Sequence, residues 1–189
     1  MTDSENSPAK ERVLQFLDNE VTMYILNDIE TLNKVERTMS GNCAVPFAMM
    51  LFAVIDLFGY LIRDDKNPRK TDTLGNFRHF MSEKNGFFPK DYTKDHAKIV
   101  KIFRHGLIHQ FFPKASGICR AGAKNPLIIP AEGSINLNVD VLSKDLVAAL
   151  KKVRQFCSTT HNDMLAERIN SRLDRLAKED YVTFGSLEN

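Results

Sequence analysis

Residues 43–62 read CAVPFAMMLFAVIDLFGYLI, a run of 20 in which 17 are apolar and the exceptions are Pro46, Asp56 and Gly59. A helix of this length could span a bilayer. Asp56 near its middle would cost about 2.5 to 3.5 kcal/mol there, and the amphipathic segments on either side need an apolar partner. The run is therefore expected to be the central helix of a bundle, covered on nearly all sides, rather than a membrane span.

Working outward, Val13, Phe16, Leu17, Val21, Tyr24, Ile25, Ile29, Leu32 and Val35 recur at steps of three and four, which predicts a long helix from Pro8 to about Thr38. Ser40, Gly41 and Asn42 are stop residues before the central helix. On its other side, the polar stretch Asp64 to Asp72 reads as a surface loop. Thr73 to Lys84 reads as a shorter helix carrying Leu74, Phe77, Phe80 and Met81. A further helix starts at Asp91 or Thr93 and buries Ile99, Val100, Phe103, Leu107 and Phe111 until Pro113 stops it.

The pattern changes from Ala115 to Val141. Glycines at 117, 122 and 133 punctuate Ile118, the run Leu127 to Ile129 and the alternation Ile135, Leu137, Val139, Val141, so two or three short strands are expected. Ser143 reads as the N-cap of a helix from Lys144 to about Cys157. Asn162 to Lys178 continues helically, with a kink or a break at Ser158 to Thr160. The expected fold is mainly α: one domain over residues 1–189, a bundle of about five long helices with a small β hairpin insertion near 115–141.

The composition agrees with one core. The chain has 189 residues, 43 % apolar and 26 % charged, with 9 Gly and 7 Pro, which excludes collagen-like, low-complexity and wholly disordered chains. Cys43, Cys119 and Cys157 are odd in number and widely spaced, so neither a disulfide framework nor a zinc ribbon is available. The polar start, with Asp3 and Glu5, is unlike an export signal, and a cytoplasmic location without membrane contact is expected.

The net charge of +2 hides a polarity along the chain. Met1 to Thr31 carries seven acidic and two basic residues, a balance of −5. Lys94 to Lys124 carries seven basic residues against Asp95 alone, a balance of +6. That excess is either a solvated helix face and loop or the local footprint of an anionic ligand, of which nucleic acid is the commonest. Lys101, Lys114 and Arg120 are the candidate nucleic-acid-binding residues within it.

The chemistry lies in the same region, in Phe103-Arg104-His105-Gly106-Leu107-Ile108-His109-Gln110. Histidine exchanges a proton near neutral pH, and arginine stays charged and can fork onto phosphate oxygens. Phosphodiester cleavage needs both properties. Arg104, His105 and His109 are the candidate catalytic residues. In a straight helix His105 and His109 share a face, whereas Arg104 and His109, five apart, diverge by about 140°.

Arg104, His105 and His109 resemble the signature of the HEPN domains, helical modules that bind nucleotides and cleave RNA. In that family an Arg, usually followed by Asn, Asp or His, precedes a His four to six residues on, late in a helix. The resemblance implies a homodimer in which two copies of the helix over residues 92–112 meet across a two-fold axis, so that Arg104 and His109 of both chains line one cleft. It implies metal-independent endoribonuclease activity, giving 2′,3′-cyclic phosphate and 5′-OH ends, with no cofactor. It also implies a toxin–antitoxin, abortive-infection or RNA-processing setting, in which an antitoxin or other regulatory partner controls the activity. The alternative is a non-catalytic module of the same kind that binds RNA, a nucleotide or a protein.

Other features carry less. His105 and His109 have the His-x-x-x-His spacing of metal ligands, but no third ligand accompanies them, and no metal is expected. Asp56 must be paired or must line a cleft; a core ion pair is one reading and a support for Arg104 another. The cysteines lack a nucleophile pattern, and the three glycines do not make a phosphate loop. Tyr60, Phe87, Phe88, Phe111 and Phe112 either stack on bases or close the core.

Overall fold

The computed structural model describes residues 7–36, 43–65, 71–82, 85–89, 92, 96–106, 117–120, 127–128, 135–159 and 163–180. Its mainly helical architecture agrees with the sequence reading; the described residues form six helices and a small sheet.

Helix α1 is a continuous rod of three parts, Pro8–Phe16, a π-helical stretch Leu17–Leu26 and Asn27–Lys34. Ser7 starts it by accepting a bond from the Lys10 amide, and Pro8 fills the first turn, where its missing N–H costs nothing. The π-helical middle, with i→i+5 bonds, could not be read from periodicity, since Val21 and Ile29 are still buried on the inner face.

Helix α2, Ala44–Ile62, is the central element. Phe47, Leu51, Ile55, Phe58 and Leu61 have no exposed surface. The helix is long and apolar enough to cross a membrane, yet it is packed against α3, Thr73–Phe80, and against the two C-terminal helices described below. Phe52 meets Phe77 of α3 at 5.8 Å between ring centroids, and Phe58 meets Phe80 at 5.9 Å. Gly59 permits the closest approach: a Cβ there would lie 2.2 Å from the carbonyl oxygen of Asn76.

Helix α4 consists of His96–Ile99 followed by a π-helical stretch Val100–Arg104, and helical backbone continues through Gly106. Ile99, Val100 and Phe103 are buried, and Phe103 stacks on Phe52 at 6.3 Å. Leu107 and Phe111, also expected on this stripe, lie outside the described residues.

The β segment is a three-stranded sheet of order β1-β3-β2, made of Gly117–Cys119, Leu127–Ile128 and Asn136–Asn138. Strands β2 and β3 pair antiparallel, as the expected hairpin would, with Leu127 opposite Leu137. Strand β1 is added parallel to β3, with Ile118 opposite Leu137.

Helix α5 runs Val139–Ser158, starting earlier than the sequence suggested. Asn138 is its N-cap, accepting from the Asp140 amide at 3.2 Å, so Val139 and Val141 are helical rather than extended. Ser143 lies inside the helix, where its hydroxyl donates to the Asp140 carbonyl at 2.9 Å. This internal bond is the alternative to capping open to any serine one turn into a helix. Helix α6, Asp163–Asp180, follows a break at Thr159 and packs on α1 and α2. Lys10, only 2 % exposed, joins them by donating to the Thr159 carbonyl at 3.1 Å and pairing with Asp163 at 3.5 Å.

Candidate functional site

Arg104 sits at the end of the π-helical stretch of α4, next to buried Phe103. The stacking of Phe103 on Phe52 brings that end of α4 against α2, one turn along from which Asp56 projects. Arg104 Nη2 donates to Asp56 Oδ2 at 3.2 Å. The two side chains are 25 % and 17 % exposed, so the pair is anchored in the protein and open on one side.

The carboxylate is itself held. Thr73 Oγ1 donates to Asp56 Oδ2 at 3.1 Å and Asn76 Nδ2 to Oδ1 at 2.8 Å. A charge beside so apolar a helix survives because three donors replace the water it lost. Both readings of Asp56 from the sequence describe this geometry: it is an ion pair at the core's edge, and its partner is Arg104. Thr73 and Asn76 were missed. Nothing in the sequence marks them as the donors that Asp56, a carboxylate in an apolar helix, needs opposite it.

A guanidinium carries five N–H donors, and among the described residues Arg104 directs one nitrogen to Asp56. Its charge-assisted fork can therefore still be offered outward. His105, half-buried, follows directly and closes the π-helical stretch, its amide donating to the Val100 carbonyl. The i→i+5 bonding means that the 100° step assumed for a straight α-helix does not apply across Val100–Arg104. Lys98 and Lys101 are exposed on the same helix. His109 and Lys114 lie outside the described residues.

Arg120 is elsewhere, and its expected place on an RNA-binding surface is corrected. It follows β1 with its side chain 1 % exposed and pairs with Asp140 at 2.9 Å. Its other nitrogens donate to the Asn33 carbonyl at 3.1 Å and the Val35 carbonyl at 3.5 Å, and the group lies 5.5 Å from the Phe47 ring centre. The cation fastens the end of α1 to the start of α5, because two orphan carbonyls and a buried carboxylate meet there. Tyr60, Phe87 and Phe88 are likewise core residues, each at most 6 % exposed.

A second polar assembly adjoins the first. Arg63, just beyond α2, donates to Asp72 at 2.8 Å and to Asn76 Oδ1 at 3.0 Å, and also binds Asp65. Burial lowers its pKa, but the bonds to Asp72 and Asp65 more than offset this and hold it above the ordinary arginine value. Arg63, Asp65, Asp72, Arg78 and His79 help line an open cavity of about 600 Å³. Burial lowers the His79 pKa, opposed by Asp64 at 3.7 Å and reinforced by Arg168 and Arg63. Among the described residues no three His, Cys, Asp or Glu side chains converge on a metal position.

No protein-family model, curated protein or solved structure matches the chain. What the fold and site define is a mainly helical protein in which an arginine late in α4 is seated on a carboxylate of the central helix.

Proposed function

We propose that the protein is a HEPN-like, metal-independent endoribonuclease whose reaction centre contains Arg104, with His109 and His105 supplying proton transfer. The supporting observation is the anchoring of Arg104: one nitrogen is bonded to Asp56 while a quarter of the side chain stays exposed beside Lys101 and His105. An arginine so held is pre-organised for the charge that develops on non-bridging phosphate oxygens.

In this reading a base takes the proton of a ribose 2′-OH and that oxygen attacks the adjacent phosphorus. The bond from phosphorus to the 5′ oxygen breaks, an acid protonates the leaving oxygen, and the products carry 2′,3′-cyclic phosphate and 5′-OH ends. DNA lacks the nucleophile. A second copy of the chain, docked through the helix over residues 92–112, would bring two sets of Arg104 and His109 to one cleft. Lys101 and Lys114 would hold the RNA backbone, and an antitoxin-like or other regulatory partner would restrain the activity.

One observation favours a second reading. Asp56 already neutralises much of the Arg104 charge, which suits a module that binds RNA, a nucleotide or a protein through this face without cutting.

Incubating structured RNA in excess EDTA with the wild type, Arg104→Ala and His109→Ala distinguishes them. Cyclic-phosphate ends that disappear in both variants support cleavage through this motif. Salt-dependent binding of intact RNA replaces it with the binding reading, and cutting that needs added metal overturns the mechanism.

A further inference from the structure

The Arg104–Asp56 pair continues inward as a chain of bonds in which each member fixes the next. Asp56 Oδ1 accepts from Asn76 Nδ2 at 2.8 Å, and Asn76 Oδ1 accepts from Arg63 Nη1 at 3.0 Å. Asn76 is 1 % exposed. Turning its amide over would set an oxygen against the Asp56 carboxylate and an NH₂ against the guanidinium, two repulsive contacts in place of two attractive ones. Arg63 thus decides which way Asn76 faces, and Asn76 decides how Asp56 is held.

The far end is also fixed. Arg63 bonds Asp72 Oδ2 at 2.8 Å, and the other oxygen of Asp72 caps α3 by accepting from the Gly75 amide at 3.0 Å. Gly59 lets the backbone of Asn76 lie directly on α2, so the amide has little room to move. The sequence +, −, amide, +, − from Arg104 to Asp72 alternates donors and acceptors without a like-charge contact, the arrangement in which a shielded network is rigid.

We infer that Asn76 and Arg63 are positioning residues for Arg104, acting through Asp56 although neither bonds to Arg104. Only the expected consequence for RNA cleavage rests on the proposed function; the positioning itself is a property of the free protein.

Side-chain ¹⁵N NMR of the Arg104 guanidinium, assigned by its loss in Arg104→Lys, reads this directly. Hindered rotation in the wild type should give way to a single averaged signal in Asn76→Ala and in Arg63→Gln. Thr73→Val, nearly isosteric, removes one donor to Asp56 and should loosen the same signal without endangering the fold. RNA cleavage should fall by up to roughly 100-fold in kcat in these variants, short of the complete loss expected of Arg104→Ala. An unchanged Arg104 signal in folded Arg63→Gln and Thr73→Val would overturn the inference. Absence of cleavage by the wild type would instead overturn the functional reading, leaving the NMR comparison to decide the positioning.

Discussion

Replacing Arg120 with alanine should unfold the protein more readily and leave its nucleic-acid contacts alone. The guanidinium is 1 % exposed and Asp140 is 9 % exposed, so the substitution takes the paired cation away from a shielded carboxylate and removes the donor to the Asn33 and Val35 carbonyls. Removing one partner of a buried pair costs about 3–5 kcal/mol, set against a total stability on the order of 5–15 kcal/mol. At about 2–4 °C per kcal/mol for a chain of this size, Tm should drop by roughly 6–20 °C. Arg120→Met combined with Asp140→Leu, which removes both charges and keeps the volume, should recover most of the loss. Thermal and urea unfolding of the two variants, beside RNA affinity measured at several salt concentrations, make the test. A Tm within about 2 °C of wild type, together with weaker and less salt-dependent RNA binding, would refute the burial-based reasoning.

Gly59→Ala should cost about 1–3 kcal/mol by overpacking, because its Cβ would lie 2.2 Å from the Asn76 carbonyl oxygen; urea unfolding checks it. The His79 pKa is lowered in the folded state by burial, so the unfolded chain takes up the proton first. Stability should then rise with pH between the folded pKa and the ordinary value near 6.5, and unfolding at pH 5.5 and 7.5 should show a smaller pH difference in His79→Gln than in wild type. Among the cysteines, Cys43 is exposed, while Cys157 is fully buried with a thiol pushed up to about 11. Iodoacetamide labelling of the native protein at pH 8, read by mass spectrometry, should therefore modify Cys43 first and Cys157 only on unfolding.

The central helix and the bundle were legible because 17 apolar residues in a run of 20 admit few environments. Asp56 stood out in that run for the same reason, but its need of a partner left a core ion pair and support for Arg104 both open, and the partner lies 48 positions away. The rest depended on information that periodicity does not carry. Val139 and Val141 continue an alternating pattern, but the Asn138 cap turns the chain into α5 before they can extend β3. Arg120 belongs to a basic stretch, yet its partners are Asp140 and carbonyls of α1 that lie far away in sequence, one of them by 87 positions. A local charge count is blind to such contacts. Thr73 and Asn76 look like ordinary polar residues at the start of a short helix; only the close approach at Gly59 reveals that they face Asp56.

The central claim, RNA cleavage through Arg104 by 2′-OH attack, is tested most directly by giving the protein one oligonucleotide sequence in ribo and deoxyribo form, in excess EDTA, and analysing the ends. The account predicts that only the RNA is cut, that the new ends are 2′,3′-cyclic phosphate and 5′-OH, and that Arg104→Ala abolishes both. Cutting of the DNA form, or RNA cleavage undiminished in Arg104→Ala, would contradict it.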